Sequence, residues 1–227
     1  MSIKTSKGVR SFGIENVVKH VVNIMKYYDY CPLVSVGSGN GYLEKAIEDV
    51  LPKKKIICID PNPLSFYKHS EIYKKPEFSY VKDLIKKMPS IVGECVLLLN
   101  WCNPNNSIYD YEAILNLQPK GFVSIVEVFI NDNGAAGGKK FFDILKYVSP
   151  GDFNPKHKLT HEIIDIVKKY KCLHKTELEE KQDFEEPSFD QNDIRIYCVG
   201  CPIKGKEISL PNKLPCLIKN DGYCCIM

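Results

Sequence analysis

Three glycines at alternate positions, Gly37, Gly39 and Gly41, and an aspartate 19 residues further on, Asp60, are the residues best spaced for chemistry. They stand in "LVSVGSGNGYLEKAIEDVLPKKKIICIDPNP", which runs from Leu33 to Pro63. Glycines where a strand turns into a helix permit φ > 0 and let a ligand come close to the backbone. A carboxylate closing the next parallel strand sits beside such a loop and accepts both hydroxyls of a ribose. Together they point to a nucleoside-containing cofactor at the carboxyl ends of the strands. The dinucleotide fingerprint G-x-G-x-x-G needs its third glycine at position 42. Tyr42 stands there, which disfavours a nicotinamide-dependent oxidoreductase.

The elements around these residues follow from apolar periodicity. Ile14, Val17, Val18, Val21, Val22, Met25 and Tyr28 recur at helical spacing ahead of the "LVSV" strand. Leu43, Ala46, Ile47, Val50 and Leu51 form the next helical face, which Pro52 ends. "KIICID" is a second strand, "FSYVKD" a third, "CVLLLN" a fourth and "GFVSIVEVFI" a fifth. Helices are expected at "YEAIL", after the glycine-rich "NDNGAAGG", and over residues 159–170. The strands "CLHKTELEE" and "DIRIYCVGC" come close together at the end. Alternation of this kind predicts an α/β fold: a doubly wound, seven-stranded, mostly parallel sheet with an antiparallel C-terminal edge hairpin. Residues 1–201 are expected to form this domain, and residues 202–227 a tail without clear period.

The spacing G-x-G-x-G followed by Tyr42-Leu43-Glu44, with the acid of "IICID", resembles the class I S-adenosylmethionine (SAM) methyltransferase superfamily. The likeness extends over residues 13–201. It implies that Gly37, Ser38, Gly39 and Gly41 hold the methionine part of SAM and that Asp60 holds its ribose. It further implies an adenine-reading residue after the third strand, which Asp83 matches; a helix cap is the other role open to Asp83. The family's transferred methyl lies at the end of the fourth strand, here "LLLNWCNPNN". Asn100 and Trp101 are the candidates there, as a polar carbonyl and an aromatic platform; a loop anchor packed on the core is the other role open to Trp101, and the favoured one. Two departures stand out. Ser35 occupies the family's first acidic motif position, and "NWCN" lacks the prolines of the nucleic-acid amino-methyltransferases. Asn100 in place of Asp also speaks against the ribose 2′-hydroxyl mechanism. The expected activity is SAM-dependent methyl transfer to an unknown acceptor: a small molecule, a protein or RNA. The alternative is a catalytically inactive methyltransferase-fold protein serving as a scaffold or cofactor-binding partner.

Other features carry less. Lys and Arg total 31 against 28 Asp and Glu, a net charge of +3 that does not argue for nucleic acid. Arg10 and Arg195 are the only arginines, so extensive Arg-based phosphate or base readout is not expected. Glu127 lies mid-strand, facing either the pocket or a helix. "NDNGAAGGKKFF" is a connection or a lid and lacks the Ser or Thr of a Walker loop. Cys198 and Cys201 form a lone C-x-x-C, and His157 and His161 lack the glutamate of H-E-x-x-H, so no metal site is expected. "MSIKTSKGVRSFG" is not a secretory signal, no apolar run approaches a membrane span, and the 10 cysteines fit a reducing, cytoplasmic setting. The last four residues, Cys224-Cys225-Ile226-Met227, match the C-a-a-X prenylation signal. A lipid on Cys224 would bring the chain to a membrane surface, with Cys216 as a conceivable second acylation site.

Overall fold

The computed structural model describes residues 14–63, 72–100, 109–128, 138–150, 159–178 and 193–208. Helix α1 (Ile14–Tyr27) leads into strand β1 (Leu33–Val36), helix α2 (Tyr42–Val50) and strand β2 (Ile56–Ile59). Helix α3 (Val81–Lys87) precedes β3 (Val96–Asn100), α4 (Tyr109–Leu117) and β4 (Gly121–Val128). Helices α5 (Lys139–Val148) and α6 (His161–Val167) then lead to β5 (Lys171–Leu178) and β6 (Asp193–Gly200).

The six strands form one sheet in the order β2-β1-β3-β4-β6-β5. Strands β2, β1, β3 and β4 pair in parallel. β6 inserts antiparallel beside β4, and β5 pairs antiparallel with β6, so only β6 runs against the rest. The strand order reverses between β1 and β3. A crevice opens at the carboxyl ends of the strands at such a switch point.

Both sheet faces are covered, and strand parity decides what each buries. Val34, Val36, Ile57, Ile59, Leu97 and Leu99 pack with α3, α4, α5 and α6. Leu33, Cys58, Leu98, Val123 and Ile125 pack with α1 and α2. Most of these side chains are fully buried, each worth about 1.5–3 kcal/mol of transfer free energy for a Val or Leu. Ser35 falls on the α1–α2 face, between Leu33 and the loop, with no exposure. At the opposite end of the sheet, the Tyr28 hydroxyl donates to the Cys201 carbonyl at 2.6 Å.

One expected strand is absent. In "FSYVKD" only Phe78 pairs, through a single parallel bridge to Ile59. Tyr80 is still extended, and α3 begins at Val81. Val81 and Leu84 are buried and Ile85 and Met88 pack beside them, which is helical spacing that a strand assignment cuts across. Asp83 therefore lies in the first turn of a helix. The described sheet has six strands, not seven.

No helix among the described residues is long and apolar enough to cross a membrane. The "NDNG" stretch before Gly138, His157 and the C-terminal tail beyond residue 208 lie outside the described residues.

Candidate functional site at the switch point

The β1–α2 turn is built from alternating left-handed residues: Gly37 has φ 76°, Gly39 φ 54° and Gly41 φ 75°. Gly41 is also the residue from which α2 starts. A Cβ on Gly41 would run into the backbone carbonyl of Lys74, so this position is restricted by both φ and space. A Cβ on Gly39 would meet nothing within 4 Å. The loop is therefore open at Gly39, where a ligand can lie against the backbone.

Asp60 follows β2 and reaches this loop. The Gly39 N–H donates to its Oδ2 at 2.9 Å, and the Asn62 N–H donates to its Oδ1 at 2.7 Å. The Gly37 N–H donates to the Ile59 carbonyl at 3.0 Å, which ties the loop to the end of β2. An ionised carboxylate has roughly four acceptor positions, and these two bonds leave room for more donors. The glycine loop and Asp60 are thus neighbours at the carboxyl ends of β1 and β2.

The sequence did not point to two further parts of this site. A short strap crosses the loop: the Tyr73 and Lys74 N–H groups donate to the Asn40 carbonyl at 2.9 and 3.3 Å. The Tyr42 and Tyr73 rings meet edge-on at 4.9 Å, and the Lys74 ammonium pairs with Glu48 at 2.7 Å. No spacing rule joins Tyr73 to Tyr42, so nothing local announces the strap.

The other part is Glu44, in the first turn of α2, which is fully buried. The Ser35 hydroxyl donates to its Oε1 at 2.5 Å. Burial pushes this carboxyl up to about 7, partly opposed by hydrogen bonds from Ser35 and from its own backbone N–H, with Asp60 raising it and Lys74 lowering it. A signal was present: Glu44 stands three residues before Ile47 and seven before Leu51, on the apolar face of its own helix.

The remaining candidates are placed as follows. Asp83 is half-buried in α3, whose start is brought to the end of β2 by the hydrogen bond from the Asp60 N–H to the Phe78 carbonyl at 3.1 Å. Asn100 is the last residue of β3 and pairs with Ile125. Trp101 and Cys224 lie outside the described residues. Glu127 pairs in register with Ile194 of β6. Cys198 is buried in β6 and Cys201 follows the strand half-buried. Among the described residues, no group of three His, Cys, Asp or Glu side chains is placed to hold a metal ion. Asp110, buried at the start of α4, accepts from the Gly138 N–H at 2.6 Å and so joins the starts of α4 and α5 beside the ends of β3 and β4.

The residues present fit a SAM-type cofactor. The Ser38 hydroxyl and the Glu44 Oε2 are buried polar atoms without a hydrogen-bond partner, Gly39 is open, and Asp60 has acceptor capacity beside it. Such a set suits a ligand that brings hydroxyl donors to one side and a polar, positively charged end to the other.

A cleft of about 300 Å³ also opens at the amino ends of the strands, lined by Tyr28, Tyr30, Gln118, Lys120 and Lys169 among others. It lies at the opposite end of the sheet from the switch point, and the groups just described do not line it.

No family model matches the chain, and no curated protein sequence matches it. Solved structures with a similar backbone include the methyltransferase domain of bacterial CtHen1-CN, at 10% identity and a TM-score of 0.39, covering 82% of this chain and 99% of that one. Another is the O-methyltransferase TomG from Streptomyces achromogenes in complex with SAM, at 9% identity and a TM-score of 0.36, covering 84% and 92%. A third is the mitomycin 7-O-methyltransferase MmcR, at 13% identity and a TM-score of 0.36, covering 82% of this chain and 54% of that one. The likeness is loose in every case, and the strand order and loop geometry stand without it.

Proposed function

We propose that the chain is a SAM-dependent methyltransferase. The observation that supports this reading is the contact between the glycine loop and Asp60, an open, left-handed turn beside a carboxylate at the switch point. When bound, SAM supplies a sulfonium-activated methyl group; the protein's part is to hold it and align the acceptor. Asp60 accepts from the ribose hydroxyls. Gly37, Ser38, Gly39 and Gly41 hold the methionine part. Asp83 reads the adenine amine from the first turn of α3. Asn100 ends β3 and Trp101 is next in the sequence, where the acceptor would meet the methyl group. The acceptor class stays open among small molecules, proteins and RNA.

A second reading is a cofactor-binding scaffold without turnover. It is favoured by Ser35 at a motif position that is acidic in the family and by the incomplete motif around Asn100. Methyl transfer to any acceptor decides between the two readings. On the cellular side, the chain is proposed to be cytoplasmic, with Cys224 farnesylated at a membrane surface. Mass spectrometry of protein from eukaryotic cells should then find Cys224 thioether-linked and residues 225–227 missing. An intact, unmodified C-terminus from such cells would remove that proposal.

Thermal-shift titration with SAM, S-adenosylhomocysteine and NAD tests the cofactor. A ligand that binds only the folded chain raises Tm by mass action. SAM and S-adenosylhomocysteine should raise it and NAD should not. Asp60→Ala removes charge-assisted hydrogen bonds of about 1.5–3 kcal/mol, so affinity for either should fall roughly tenfold or more. A shift with NAD alone, or unchanged affinity in the variant, overturns the reading.

A further inference from the structure

Glu44 is the most unusual side chain of the site, because a carboxyl with no exposure normally has every acceptor position accounted for. Its Oε1 is held by the Ser35 hydroxyl, in the last-but-one residue of β1. Its Oε2 has no partner. The side chain starts from the first turn of α2 and ends on β1, so the carboxyl fills the corner under the glycine loop. Ser38, in the loop itself, is 4% exposed, and its buried hydroxyl is also without a partner. Two orphaned polar atoms therefore flank a loop whose outer side, at Gly39, is open.

The charges around this corner do not neutralise an ionised Glu44. From β2, the Cys58 thiol is held protonated by burial, and Asp60 beyond the strand carries the same sign as Glu44. From the strap, the Lys74 ammonium is engaged at 2.7 Å by Glu48, one turn further along α2. From β1, Ser35 supplies one hydrogen bond and no charge. Helix α1 packs against α2 but turns its buried titratable groups elsewhere: His20 to Thr176, and the Tyr27 hydroxyl to the Ile203 N–H; Tyr28, just past its end, turns to the Cys201 carbonyl. Lys26 of α1 is exposed. An ionised carboxyl in this place lacks a cation, and a buried charge is favourable only when it is paired.

We infer that Glu44 is the residue that reads the positive charge of a ligand seated on the glycine loop, and that it couples the binding of that ligand to proton release. This rests on the cofactor reading above and adds the charge its site selects. The partner chemistry is an ammonium group, as on the amino-acid end of S-adenosylhomocysteine. Binding favours the ionised carboxyl, so Glu44 gives up its proton to solvent as the ammonium arrives. With its carboxyl pushed up to about 7, Glu44 is mostly protonated at pH 6 and mostly ionised at pH 8. Affinity for an ammonium-bearing ligand should therefore rise about tenfold between these pH values.

Isothermal titration of the full chain at pH 6, 7 and 8 tests this, in buffers of different ionisation enthalpy. The probes are S-adenosylhomocysteine and 5′-methylthioadenosine, which lacks the amino-acid end. Wild type should bind the first more tightly as pH rises, releasing close to one proton at pH 6, and bind the second equally at each pH. Glu44→Gln should remove both the pH dependence and the proton release. Should that variant not fold, Ser35→Ala removes a bond that favours the ionised carboxyl and should move the midpoint to higher pH. Equal affinity of wild type for S-adenosylhomocysteine at pH 6 and 8 overturns the inference, as does the same pH dependence for both probes. Absence of binding by both probes at every pH overturns the cofactor reading and this inference with it.

Discussion

At the residue scale, Gly39 and Gly41 look alike in the sequence and differ in what surrounds them. Both have positive φ, so a Cβ at either costs on the order of 1–2 kcal/mol in backbone strain. Only at Gly41 does the new Cβ also meet the Lys74 carbonyl. Gly41→Ala should then lower Tm well beyond Gly39→Ala, while Gly39→Ala should lose cofactor affinity out of proportion to its small loss of Tm. Thermal denaturation and calorimetry on both variants check this; equal Tm losses would contradict the assigned geometry. The two glycines and Asp60 were legible as chemistry because their spacing matches a strand–turn–helix–strand unit. Glu44 was passed over because a lone acid in a helix reads as solvated, and only its place among Leu43, Ile47 and Leu51 says otherwise. The strap over Asn40 was not legible at all, since its bonds are backbone to backbone and independent of side-chain type.

At the element scale, α1 is fastened to the edge strand β5 by a chain of neutral groups. His20 Nδ1–H donates to the Asn16 carbonyl at 2.6 Å, which leaves Nε2 to accept from the Thr176 hydroxyl at 2.9 Å. His174 Nε2–H in turn donates to the same hydroxyl at 3.0 Å. Burial holds both imidazoles below their ordinary 6.5, His20 also feeling His174 and Lys19. A folded pKa below the unfolded one contributes stability that is present above pH 6.5 and lost as pH falls through the folded value. Wild-type Tm should therefore decline between pH 7 and pH 5 more steeply than that of His20→Gln. Parallel melting curves for the two proteins would show that the α1–β5 chain does not titrate. Helix α3 shows why one element was misread. Phe78 does pair with Ile59, but the pairing ends after one residue because Val81, Leu84, Ile85 and Met88 bury a single helical face. A short apolar run carries both periods, and packing against β2 and α4 decides between them.

At the scale of the whole molecule, the sheet order puts β1 between β2 and β3 and sends α1 and α2 to one face and the later helices to the other. That arrangement was legible from the alternation of strands and helices, as was the reversed strand at the end. The insertion of β6 between β4 and β5 was not, because two neighbouring strands in sequence do not state which of them lies at the edge. The same topology separates two places: the switch point at the carboxyl ends and the cleft of about 300 Å³ at the amino ends. The central claim is that the cofactor binds at the first of these. Backbone amide chemical shifts followed during titration with S-adenosylhomocysteine test it most directly, because each site has its own glycines. The account predicts saturable shifts largest at Gly37, Ser38, Gly39, Gly41 and Asn62, with Gly93 at the opposite end unmoved. Shifts concentrated at Gly93 and Lys120, with the glycine loop unmoved, would contradict it.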